Sequence, residues 1–139
     1  MRKTLSFEKI DRWSFKYLLV KTYSGFIHNI VYYRKVYKLH YDRVPRDEGV
    51  IFAPNHQNAL MDALAVLFTT KGQPVFLARS DIFQNPVAAK ILRFLKIMPI
   101  YRIRDGAGSL QKNDEIFNKA TDILTKKKHL VILPEGSHA

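Results

Sequence analysis

From residue 50 onward, short apolar runs alternate with longer stretches of helical periodicity, and this alternation limits the fold more than any other feature of the chain. Residues 50–53 (Val-Ile-Phe-Ala) and 130–133 (Leu-Val-Ile-Leu) are uniformly apolar and read as buried strands. Residues 75–78 and 99–102 read as two further short strands. Helices are expected over 59–69, over 86–95 with Pro86 in the first turn, and over 110–127. The last of these carries Asp114 and Glu115 early and Lys126 and Lys127 at its end, the order that the helix dipole favours. A turn at Lys71-Gly72-Gln73-Pro74 separates the first helix from the second strand. Strand and helix in strict alternation predict an α/β fold, a mixed and mostly parallel sheet flanked by helices. The last strand, at the end of the chain, is expected to leave an open sheet edge.

Residues 1–41 differ in character. They hold nine basic residues against two acidic ones, an excess of seven out of the chain's net charge of +11. Apolar residues recur among these charges at Phe15, Leu18, Leu19, Tyr23, Phe26, Ile27 and Ile30, the three-and-four spacing of an amphipathic helix. Trp13, Tyr17, Tyr32, Tyr33 and Tyr37 add rings of the kind that settle at a membrane interface. The longest uncharged run, residues 22–33, is too short to cross a bilayer, which takes about 20 helical residues. Such a helix lies on an anionic leaflet or covers the α/β core, and one part can do each. The polar stretch 42–49, with a Pro and a closing Gly, marks the boundary. We therefore divide the chain into an N-terminal amphipathic, membrane-surface helical segment (1–48) and a partial α/β domain (49–139).

The chemistry-bearing segment is Pro54-Asn55-His56-Gln57-Asn58-Ala59-Leu60-Met61-Asp62, which follows the first strand. His56 and Asp62 are six residues apart, so on one continuous helix they would diverge. They meet if His56 lies in the loop and Asp62 about one turn into the helix. The carboxylate then fixes the imidazole tautomer that a general base needs. The plainer reading is a loop histidine and a first-turn Asp facing the helix dipole.

Three later segments extend the pattern: Ala78-Arg79-Ser80-Asp81-Ile82-Phe83, Met98-Pro99-Ile100-Tyr101-Arg102 and Leu133-Pro134-Glu135-Gly136-Ser137. Taken in order with the first, they resemble the motifs of the glycerolipid acyltransferases, the family of the lysophosphatidic acid and glycerol-3-phosphate acyltransferases. Two departures stand out. Five residues separate His56 from Asp62 where the family usually has four, and His138 stands where it usually has Arg. The family continues into a fourth motif on a further strand, so this chain is expected to be a C-terminally truncated one.

The resemblance implies direct acyl transfer from acyl-CoA or acyl-carrier protein to a glycerol hydroxyl, with no cofactor and no metal. His56 would be the base and Asp62 its orienting partner. Arg102, with Arg104 and Arg79 behind it, would bind the acceptor's phosphate, since a guanidinium is permanently charged and presents paired donors. Glu135 would hold the acceptor or a neighbouring Arg, and Gly136 would allow close backbone approach. The expected acceptor is a lysophospholipid or glycerol phosphate, most simply 1-acylglycerol-3-phosphate. The expected place is the cytoplasmic face of the inner membrane.

Two other readings share part of this evidence. A non-catalytic membrane-surface or lipid-binding module would have the same N-terminus and ask nothing of His56. A nucleic-acid binder would share the charge, but the basic residues are interleaved with an apolar stripe and there is no zinc spacing or RNA-binding aromatic signature, so no nucleic-acid partner is expected. With no cysteine, the chain has no disulfide, thiolate nucleophile or Cys-based metal site. Its start lacks the apolar core and cleavage site of a signal peptide.

Overall fold

A computed structural model describes residues 7–55, 58, 60–102, 106 and 108–133. It is an α/β structure around one four-stranded sheet. In chain order come α1 (Phe15–Phe26, continued as a π-helical stretch, Ile27–Tyr32), β1 (Ile51–Phe52), α2 (Leu60–Thr69), β2 (Val75–Arg79), α3 (Pro86–Phe94), β3 (Ile97–Ile100), α4 (Ser109–Thr125) and β4 (Leu130–Ile132). The spatial order is β1-β4-β2-β3, and every pairing among the described residues is parallel. All four strands therefore end at the same edge.

Two expectations need correction. The last strand is not an edge: β4 lies between β1 and β2, with Leu130 in register with both Ile51 and Val75. The third strand begins at Ile97, two residues earlier than its sequence suggests, because a left-handed residue at Lys96 ends α3 early. Pro99 fits inside it because β3 pairs only with β2 among the described strands, and an edge strand can spare one donor. Arg102 consequently lies beyond the strand rather than on its face.

The sheet's two faces are dressed differently. On one, Val75, Leu77, Met98 and Leu130 pack against Ile116, Ala120 and Ile123, which share one side of α4 at four- and three-residue spacing. Gly49 is required here, since a Cβ at this position would come within 2.4 Å of the Leu124 carbonyl oxygen. Towards the other face, Phe76 and Ile97 line an apolar groove with residues of α1 and α2.

Helix α1 sits in an unusual orientation. Its inward side is Tyr17, Leu18, Lys21, Ser24, Gly25 and His28, small or polar apart from Tyr17 and Leu18, the one member of the apolar stripe that is half-buried here. Lys21 Nζ caps the end of α2, donating to the carbonyls of Thr70 (2.8 Å) and Gly72 (2.6 Å). Gln73 exchanges two hydrogen bonds with the backbone of Ser14, and the Ser14 hydroxyl caps α1 by accepting from the Tyr17 N–H. Gly25 lets the helices approach, as a Cβ there would stand 3.1 Å from the Phe68 ring. The apolar stripe points away: Phe15, Leu19, Tyr23, Phe26, Ile27 and Ile30 are all exposed, Tyr23 by 70%. No helix among the described residues is long and apolar enough to cross a membrane.

The segment ahead of α1 is tied to the opposite, amino-terminal edge of the sheet. Ile10 joins the core, and the Asp11 side chain is only 5% exposed. Its carboxylate accepts hydrogen bonds from Lys119 (2.7 Å) and Lys128 (2.9 Å), with Lys126 3.6 Å away. The buried Lys96 ammonium donates to the backbone carbonyls of Ile10 and Arg12. Burial alone would raise the Asp11 carboxyl, but the hydrogen bonds from Lys119 and Lys128 outweigh it and hold the group well below the usual carboxylate range.

This cluster yields a stability prediction. Asp11→Asn removes two charge-assisted hydrogen bonds and should cost about 2 kcal/mol in chemical denaturation, moderated because the lysines are partly in water. The Asp11 carboxyl is lower in the folded chain than in the unfolded one, so its contribution is complete above about pH 5, begins to decline as pH falls through about 4, and goes on declining towards the much lower value of the folded group. The stability gap between parent and Asp11→Asn should therefore narrow from pH 5 to pH 3. A gap that stays constant over that range would show that the charge on Asp11 is immaterial.

Candidate active site

Since every strand is parallel, the segments leaving the C-terminal ends lie along one edge, where α/β folds bind ligands. All four motif segments follow strand ends. The first precedes α2, the second begins on the last residues of β2, the third runs out of β3 and the fourth out of β4. His56, Arg104, Glu135 and Gly136 lie outside the described residues.

Asp62 is in the first turn of α2, as the His-to-Asp spacing suggests. Its carboxylate reaches back over the start of the helix and accepts the backbone N–H of Asn58 at 2.7 Å. The bond holds the carboxylate towards the segment that enters the helix.

Arg79 and Arg102 are brought together. Arg79 is the last residue of β2 and registers with Ile100, and Arg102 lies two positions beyond. Between them stands Asp81, on a 3-10 turn (Ser80–Phe83) that leaves β2 at once. Arg79 engages it as a fork: Nε donates to Oδ1 at 3.2 Å and Nη2 donates to Oδ2. Nη2 of Arg102 is 3.7 Å from the same Oδ2. The hydrogen bond from Arg79, reinforced by the charges of both arginines and opposed by desolvation, keeps the Asp81 carboxyl below its ordinary range. Among the described residues, two guanidinium groups and one carboxylate make a cluster of net charge +1 at the sheet edge, suited to a phosphate-sized anion.

The approach to Arg102 is fixed from a third element. The Asn113 side chain, on α4, accepts the Tyr101 N–H at 2.9 Å and donates to the Tyr101 carbonyl at 2.7 Å, taking the place of a neighbouring strand. Asn113 is buried, and the ring of Tyr101 faces the Lys112 ammonium at 5.1 Å. Neither Asp81 nor Asn113 is singled out by sequence reasoning. An Arg-x-Asp step at a strand end was the available signal for Asp81; nothing local marks Asn113.

The remaining described histidines have structural surroundings. His28 is buried against the rings of Tyr33 and Phe68 and shares a hydrogen bond with Asn29, His129 meets the edge of Phe52, and His40 is exposed at a left-handed position that opens the 3-10 turn Tyr41–Arg43. No group of three or more His, Asp or Glu among the described residues could hold a metal ion.

An apolar groove of about 320 Å³ opens beside the first turn of α2. Leu60, Ala63, Leu64 and Leu67 line one wall, Tyr17, Val20 and Ser24 of α1 another, and Phe76 and Ile97 the floor. The edge thus offers a helix-start carboxylate and an arginine cluster, and the apolar groove runs from Leu60 at the start of α2 over Phe76 and Ile97 near the beginnings of β2 and β3; an anionic head and a hydrocarbon tail match these two kinds of surface.

The sequence model of the Acyltransferase family matches residues 35–139, while no curated protein and no solved structure matches the chain. The match spans well over half of the chain and takes in all four motif segments at the strand ends: the chain belongs to the Acyltransferase family.

Proposed function

We propose that this acyltransferase moves a fatty acyl group from acyl-CoA or acyl-carrier protein to the free glycerol hydroxyl of a phospholipid precursor, 1-acylglycerol-3-phosphate, at the cytoplasmic face of the inner membrane, as a step of phospholipid biosynthesis. The observation that carries this reading is the convergence of Arg79 and Arg102 from adjacent strand ends, on the edge where α2 presents Asp62. A phosphate monoester bound there keeps its glycerol on the sheet edge to which the first motif segment also belongs. The groove beside Leu60 suits an acyl chain.

In this reading His56 takes the proton of the acceptor hydroxyl as its oxygen attacks the thioester carbonyl. The tetrahedral intermediate collapses by breaking the carbon–sulfur bond, and the imidazolium returns the proton to the departing thiolate. Asp62 keeps the ring oriented and stabilises its charge. No acyl-enzyme forms. Membrane association is supported by the outward stripe of α1 and the basic excess around it. Each basic residue close to an anionic leaflet contributes about 1 kcal/mol, and the apolar contribution is independent of salt. The same stripe favours the second reading, a lipid-binding module without catalysis, and the tests below separate the two.

Three outcomes are expected of the full-length protein. His56→Ala should lower thioester turnover at least ~10²-fold with folding and vesicle binding unchanged, and Asp62→Asn should be similarly severe. Turnover within a few-fold of the parent would remove His56 from the mechanism and leave the lipid-binding module as the better account.

Arg102→Ala should raise the KM for 1-acylglycerol-3-phosphate roughly 10–100-fold, the equivalent of one charge-assisted contact, with little change in kcat. Equal damage with 1-acylglycerol, which lacks the phosphate, would make Arg102 a structural residue.

Replacing Leu19, Tyr23, Phe26 and Ile30 together by Gln should release the protein from anionic vesicles in a sedimentation assay, because these side chains contact solvent rather than core. High salt should release only part of the parent. Undiminished sedimentation of the variant would move the membrane-binding face elsewhere.

A further inference from the structure

We propose that Asp81 is a positioning residue for the acceptor's phosphate, holding Arg79 and Arg102 together as a preset pair before substrate arrives. The inference rests on the phosphate-binding role given above to Arg102.

Arg79 ends β2 and Arg102 follows the end of β3, and bringing two cations together at one edge is unfavourable without a counter-charge. Each side chain also carries considerable rotamer entropy, lost only when something holds it. The Asp81 carboxylate answers both problems. It sits on a short, well-supported turn: the Gln84 N–H donates to the Asp81 carbonyl, and Phe83 of the same turn is buried.

The two contacts are unequal, and the inequality assigns the roles. Arg79 grips both carboxylate oxygens as a fork, whereas Arg102 approaches one of them at 3.7 Å. Arg79 with Asp81 is thus a fixed, nearly neutral base. Arg102 makes the looser contact with Asp81, which an incoming phosphate oxygen replaces at little cost. Asp81 acts as a stand-in for the substrate's anion while the site is empty. The Asp81 carboxyl, held below its ordinary range first by the hydrogen bond from Arg79, is ionised throughout the neutral pH range.

The test uses full-length protein, acyl-CoA, and either 1-acylglycerol-3-phosphate or 1-acylglycerol as acceptor. Asp81→Asn should raise the KM for the phosphorylated acceptor about 10-fold with kcat within about twofold, and should leave the unphosphorylated acceptor unaffected. Asp81→Glu should fall between, at about threefold, since it keeps the charge but displaces it. In an Arg102→Ala background, Asp81→Asn should add less than about twofold, because a residue acting through Arg102 has nothing left to position. Thermal unfolding checks each variant; if Asp81→Asn does not fold, Asp81→Glu is read alone, and a KM equal to the parent's overturns the proposal. So does an Asp81→Asn variant that binds the phosphorylated acceptor as well as or better than the parent, or an effect that multiplies fully with that of Arg102→Ala. A normal KM in Arg102→Ala itself is a separate result, which overturns the phosphate-binding reading and this proposal with it.

Discussion

The hydrogen bonds that β4 makes along both of its sides are the constraint on which the sheet depends. β1 is two residues long and joins the sheet through β4. β2 meets β1 only across it. Until residues 130–132 are in place, the first strand has no partner among the described residues, and the start of α2 has no fixed relation to the end of β2. The site inherits this dependence. Asp62 is placed by β1 and α2, Arg79 and Arg102 by β2 and β3, and the two halves share a frame because the last strand joins them. Parallel pairing over such sequence distances brings a large loop-closure entropy, so packing of α4 on the sheet has to supply much of the compensation.

In a chain with nearly twice as many basic as acidic residues, the placement of a carboxylate is informative. Asp11 gathers lysines at the amino-terminal edge of the sheet and ties the N-terminal segment to the core. Asp81 gathers arginines at the carboxyl-terminal edge. The ligand chemistry differs with the place. Lysine, a point charge on a flexible stem, suits a structural knot that also captures backbone carbonyls, as Lys96 and Lys128 do. Arginine suits an edge where a planar anion has to be met from a fixed direction.

Much of this was legible in the sequence for a physical reason: buried parallel strands are short apolar runs, and amphipathic helices such as α4 declare their inner face by spacing. The position of Asp62 in a first helical turn was legible for the same reason. What escaped was nonlocal. Nothing near residue 130 says that its strand inserts between two earlier ones, and nothing near Asn113 says that it clasps the backbone of Tyr101. The start of β3 was misplaced because Pro99 looked like a beginning, when an edge strand tolerates it inside. For α1 the periodicity identified the stripe but not the side it faces, since an amphipathic helix gives the same pattern whichever way it is turned.

That orientation has a further consequence. An anchor that is disordered in water has to form its helix and turn its apolar side towards lipid while binding, and the ordering entropy is subtracted from its affinity. Here Lys21, the Ser14–Gln73 pair and the close crossing at Gly25 hold α1 from its polar side, so the apolar side is already formed and already facing outward. An apolar phase meeting this surface has no folding to wait for and no rotation to drive. Association would then be preorganised, with its strength set by contact and charge rather than reduced by rearrangement.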